Sequence, residues 1–176
     1  MKKQILLLIC ALSSTLFVTA QEFGQGTNVI NAGIGLGGDF DVYRGPSESP
    51  GFSVSYERGI WEVGGPGVIS LGGYLGFKAY KYDNDDRWRY TIIGVRGAYH
   101  FLGLDVDNLD VYGGVMASYN ILSYDNDTYD AFGDFSSRPG GTVFVGGRWY
   151  FTEAFGVFAE AGYGAAFLTA GASLRF

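Results

Sequence analysis

Ser70, His100 and Glu57 are the three side-chain types of a nucleophilic triad: a hydroxyl to attack, an imidazole to take its proton, and a carboxylate to orient the ring. They are distant in sequence, so only the fold can unite them. Each sits in a segment that alternates apolar and polar residues, the pattern of a β-strand with one buried face. Pairing those segments through their connections brings the trio together at one end of a sheet, on its inward face. A catalytic trio must also meet its substrate, and an enclosed one does not. The expectation is a hydrogen-bonded internal cluster and no catalytic residue.

Glu57 and His100 belong to a wider set. Lys78, Arg96, Arg148, Glu160 and Arg175 also fall on the inward face of their segments. Charge enclosed within a protein must find a partner, so Glu57 and Glu160 are expected to be shared among the four Lys and Arg residues as a structural network. Other chemistries fall away. Gly33-Ile34-Gly35-Leu36-Gly37-Gly38 fits G-x-G-x-x-G, but a dinucleotide site needs a helix after it, and Gly45, Pro46 and Pro50 follow instead. Asp83, Asp85 and Asp86 form one acidic cluster, and Asp125, Asp127, Asp130 and Asp134 another. Neither has EF-hand spacing, so a solvated acidic surface is expected, with no metal or cofactor assigned and weak divalent-cation binding as the minority reading. A single cysteine, Cys10, leaves no pair for a disulfide.

Period two positions these side chains. It runs almost unbroken beyond residue 26, and no stretch carries a helical stripe. Eight strands are expected: Thr27–Gly37, Gly51–Ile60, Val68–Tyr80, Arg89–Phe101, Asp110–Leu122, Gly141–Phe151, Gly156–Gly164 and Phe167–Phe176. Connections 38–50, 81–88 and 123–140 are long, polar and acidic. Those at 61–67, 102–109 and 152–155 are shorter, and the one at Ala165 and Ala166 is very short.

The outward sets carry no charge: Ile69, Leu71, Gly73, Leu75 and Phe77 in one strand, Ile93, Val95, Gly97, Tyr99 and Phe101 in the next, and Val143, Val145, Gly147, Trp149 and Phe151 in the sixth. Tyr99, Phe101, Trp149, Phe151 and Phe176 gather at one end, and Phe52, Phe77, Tyr119 and Tyr163 near the other. Two aromatic girdles around an apolar band suit a barrel in lipid better than a soluble sandwich. In lipid every backbone polar group must be paired, so a spanning sheet must close. Eight strands enclose an interior that side chains fill.

The 176 residues support one domain. Residues 1–20 read as a cleaved secretory signal, with Lys2 and Lys3, the apolar run Ile5 to Leu12, and a small-residue exit at Ala20. Residues 21–176 form the barrel domain. The 29 glycines and 17% aromatic content suit tightly curved sheet. Net charge is −6, and loss of Lys2 and Lys3 makes it −8, which argues against nucleic acid as a partner. The chain stops on Phe176, at the end of a ten-residue strand whose apolar face is Leu168, Ala170, Ala172, Leu174 and Phe176. Such a strand is long enough to cross a bilayer at a tilt.

The leader ending Thr19-Ala20 before Gln21, the glycine- and aromatic-rich strands, and the terminal Ser173-Leu174-Arg175-Phe176 resemble small outer-membrane β-barrel proteins of the OmpA/OmpX type. The Gln21-Glu22 start is similar to versions common in Bacteroidetes. The resemblance implies an all-β, eight-stranded antiparallel up-and-down transmembrane β-barrel in the outer membrane of a Gram-negative bacterium. It also matches Phe176 to the terminal aromatic read by the barrel-assembly machinery, and it brings no catalytic motif. The expected role is non-enzymatic, structural or surface-interacting, with outer loops that meet lipid, lipopolysaccharide or a protein partner. Phe40, Tyr43, Trp88, Tyr129, Phe132 and Phe135 would give those loops aromatic contacts. A narrow porin-like channel for ions or small solutes is the alternative. A lipid A-modifying enzyme is the third reading, and it would need its nucleophile open to the outer leaflet.

Overall fold

A computed structural model describes residues 23–41, 47–81, 87–124 and 137–176. The expected leader, both acidic clusters, and Tyr43, Tyr129, Phe132 and Phe135 lie outside the described residues. Trp88 lies on a strand, and its side chain is likewise outside that description.

Alternation produces the expected strands. They are β1 (Asn28–Leu36), β2 (Ser47–Glu48), β3 (Gly51–Val63), β4 (Gly67–Lys81), β5 (Arg87–Phe101), β6 (Leu109–Tyr124), β7 (Arg138–Tyr150), β8 (Phe155–Tyr163) and β9 (Leu168–Arg175), with a 3-10 turn at Gly38–Asp41. Each long strand pairs antiparallel with its neighbours in the chain, and β1 pairs with both β3 and β9. That last pairing closes an eight-stranded up-and-down barrel. β2 adds a two-residue bridge to the end of β4. The seam is continued past both strand ends, where Asn28 and Phe176 exchange backbone hydrogen bonds of 3.0 Å each way.

The surface is inverted relative to a soluble protein. Val95, Val115 and Val145, midway along their strands, are 68, 62 and 64% exposed, whereas Arg148 is wholly buried. The members of both aromatic girdles are exposed on the outside. Among the described residues no helix is long and apolar enough to cross a membrane.

Two segments fold into the mouths of the barrel. At the end carrying the short turns, Phe23 is buried against Val29, Val68 and Leu102. The chain turns there through Gly26, at φ 90°, and bonds to β3 by Gly26 N–H to Gly59 O at 2.9 Å and Gly59 N–H to Thr27 O at 2.9 Å. Any Cβ at Gly59 would strike the Gly24 carbonyl, so this crossing requires glycine. At the other end the 3-10 turn docks on the β8–β9 connection, with Asp39 N–H to Gly164 O at 2.7 Å and Phe40 N–H to Ala165 O at 3.2 Å. Phe40 was expected among the exposed loop aromatics; it is instead fully buried, packed with Ile92, Met116 and Ala166. The left-handed backbone at Gly38, φ 68°, turns the segment inward, and the apolar ring follows into the lumen.

Candidate functional site

The lumen holds the polar groups that the inward faces of the strands supply. All seven residues of the expected charge network point into it, and all but the slightly exposed Glu160 are buried.

The group nearest the short-turn end is built on β3, β4, β5, β6 and β7. Ser70 Oγ donates to Glu57 Oε2 at 3.0 Å and lies 3.0 Å from His100 Nε2. The structure therefore brings the sequence trio together. It adds a residue that was not anticipated: Asp110, whose Oδ1 lies 2.7 Å from His100 Nδ1. Ser70, His100 and Asp110 thus have the spacing of nucleophile, base and orienting carboxylate. The trio is closed to solvent. Ser70 and His100 have no exposed surface, and the ring of Phe23 is stacked on the imidazole. The Ser70 hydroxyl is also committed to Glu57.

Arg148 ties this cluster together. It bonds Asp110 Oδ2 through Nη1 at 2.6 Å, pairs with Glu57, and donates from Nε to Asn31 Oδ1 at 3.2 Å. Its guanidinium lies 4.2 Å over the Tyr112 ring. Asn31 then takes a 2.5 Å hydrogen bond from Ser173 and donates to Ser55 at 3.2 Å, which binds the network across the β1–β9 seam.

A second layer sits above it. Arg96 meets Glu160 at 2.7 Å, Tyr112 donates to the same carboxylate at 2.8 Å, and the guanidinium packs 4.1 Å over Phe144. Gly146 lies against Tyr112 and Glu160, where a Cβ would collide with both. Arg175 takes another route, donating to the Glu153 carbonyl at 2.8 Å and covering Tyr150 at 4.1 Å. Lys78 is buried further along β4, opposite Tyr90 on β5. Two carboxylates shared among four cations is therefore not the arrangement. Among the described residues three carboxylates take part, and Asp110 serves both Arg148 and His100. Strand parity contains the missing signal: Tyr119 faces out, so Asp110 on the same strand faces in.

A cavity of about 20 Å³ lies among Tyr74, Arg96, Met116, Phe144 and Glu160, on the scale of a single water. Among the described residues no cluster could hold a metal ion.

The sequence matches no protein-family model and no curated protein. The fold does have solved likenesses. Ail, the attachment invasion locus protein of Yersinia pestis, in complex with the heparin analogue sucrose octasulfate, aligns at TM-score 0.55 and 15% identity, over 86% of this chain and 99% of that one. Ail in a phospholipid bilayer nanodisc aligns at TM-score 0.50 and 16% identity, over 86% of this chain and all of that one.

Proposed function

We propose that this chain, which has the fold of the small eight-stranded outer-membrane barrels, is a non-enzymatic integral protein of a Gram-negative outer membrane. Its closed wall serves a structural or surface-interacting role, and its lumen is a plug. One observation carries the reading: valines largely exposed on the outside of a barrel whose inside is packed with paired charge. Exposed apolar surface on this scale needs lipid around it, and closure pairs the backbone groups that lipid cannot. The buried, paired charge inside the barrel supports a plug over a channel. The burial of Ser70 and His100 supports a structural cluster over an enzyme.

In this reading the partners are outer-leaflet lipid and lipopolysaccharide, together with the assembly machinery that reads Phe176. Export would follow removal of residues 1–20. A sulfated partner like the heparin analogue bound by Ail suits this chain poorly, because its 18 acidic residues outnumber 12 basic ones.

The test combines two measurements on the purified chain with one on cells that overexpress it. A gel shift on heating reports the closed barrel, planar bilayers report conduction, and lipid A profiles on overexpression report modification. The proposal expects the shift, no unitary conductance and an unaltered profile. Reproducible conductance steps would establish the channel instead, and altered lipid A would establish the enzyme.

A further inference from the structure

At the loop end, the rim of the barrel is cut by a cleft of about 380 Å³ between the 3-10 turn, the start of β7 and the β8–β9 connection. Its floor is backbone. Gly164 has φ 128°, and Gly38 approaches its carbonyl so closely that a Cβ there would strike it. One wall is polar and held in place: Asp39 Oδ2 accepts from Asn120 Nδ2 at 2.8 Å, and Asp39 Oδ1 from Arg138 Nη2 at 3.1 Å. Asn120 is fully buried, so this wall is built into the barrel. The opposite lip is aromatic. Tyr163 and Phe167 stack with centroids 6.1 Å apart and planes 24° from parallel, and both are largely exposed on the outer surface.

We infer that this cleft binds the sugar headgroup of a glycolipid from the surrounding leaflet. The chemistry selects by elimination. The Asp39–Arg138 pair offsets its own charge, so the described residues lining the cleft carry no net charge to select a simple anion or cation. A purely apolar ligand would strip water from Asp39 and Arg138 and return no hydrogen bonds. A neutral hydroxylated ring meets both walls, with hydroxyls toward the carboxylate and guanidinium and its C–H face on the aromatic lip. The lip faces outward at the girdle, so the ligand arrives with its acyl chains in the bilayer. This inference rests on the outer-membrane reading above and assigns a place to the lipid contact proposed there.

The probe is a diacylglycerol carrying one glucose, mixed into phosphatidylcholine nanodiscs holding the full barrel, with retained adducts counted by native mass spectrometry. One adduct per barrel is expected. Tyr163→Ala, and Gly141→Leu, which projects a side chain from the cleft lining, should each cut occupancy by about tenfold, equivalent to loss of one good ring contact. Phe77→Ala, in the same girdle across the barrel, should leave it unchanged. Equal loss with Phe77→Ala would reduce the effect to general interface packing and overturn the site. Equal binding of soluble methyl glucoside would overturn the glycolipid source. An inserted, heat-shifting barrel with no adduct would overturn the site and leave the membrane reading intact. A chain that never inserts would overturn that reading instead.

Discussion

Phe23 lies flat on His100, with ring centroids 3.6 Å apart and planes 7° from parallel. One ring comes from a segment outside the barrel strands and the other from β5, so the contact seals the short-turn mouth with a residue that no alternation pattern selects. Phe23→Ala should cost about 3 kcal/mol, as for other buried phenylalanines. Urea unfolding of the folded barrel in detergent would measure it, and a loss below about 1 kcal/mol would mean the ring only rests at the mouth.

Gly59 tests the same seal from the other side. Gly59→Val should expel the crossing segment because the Gly24 carbonyl occupies the space of any added Cβ. With Cys10→Ser as background and Phe23→Cys as reporter, maleimide labelling should be slow, and fast once Gly59→Val is added. Equal rates would show that the segment tolerates the substitution.

Asp110 is the residue on which two buried groups depend. Asp110→Leu leaves Glu57 as the carboxylate paired with Arg148 among the described residues and should cost about 3–5 kcal/mol, the cost of breaking a buried pair. Combining Asp110→Leu with Arg148→Met should cost less than the sum of the two single losses, since the Asp110–Arg148 pair can be lost only once, while Glu57 still loses its cation. Denaturation midpoints of the two single variants and the double would read the coupling, and simple additivity would contradict the pairing.

Arg96 and Glu160 are the bolt across the second layer. Wild-type protein in planar bilayers should show no unitary steps, and Arg96→Ala with Glu160→Ala should show small ones, because truncation joins a cavity of about 20 Å³ to the mouths. A silent double variant that still shifts on heating would place the seal at Phe23 and Phe40 instead.

Phe176 joins the β1–β9 seam through its backbone, and substitution can separate that from its proposed assembly role. Phe176→Ala keeps the backbone exchange with Asn28 and removes a side chain that is 65% exposed. Insertion in cells should slow, while unfolding of the assembled barrel should move by less than about 1 kcal/mol. Normal insertion would remove Phe176 from the assembly role.

The strands were legible because each obeys period two, and the parity of a single aromatic fixes the direction of a whole strand. That rule placed Arg96, Arg148 and Glu160 in the lumen. It also covers Asp110, whose place at the very start of its strand hides which face it takes. Phe23 and Phe40 were not legible. Both lie off the strands, and their burial depends on close backbone approaches at Gly59 and Gly38 that no local pattern encodes. β7 begins at Arg138, earlier than expected, because Pro139 pairs with Tyr119 on one side only. β8 ends opposite Val143, so the missing N–H of Pro139 breaks no bond there.

The β1–β9 seam has a kinetic consequence. Asn28 Nδ2 meets the Phe176 carbonyl at 3.3 Å across a separation of 148 residues, so this junction is among the most non-local contacts the chain makes. Closing so long a loop is entropically slow. Until β9 arrives, β1 has an unpaired edge, and neither side of the sheet is protected from other chains. The barrel therefore passes through an open-edged state on every route to closure, and its rate of formation should depend on whatever shelters that edge more than on the strength of the finished lumen network.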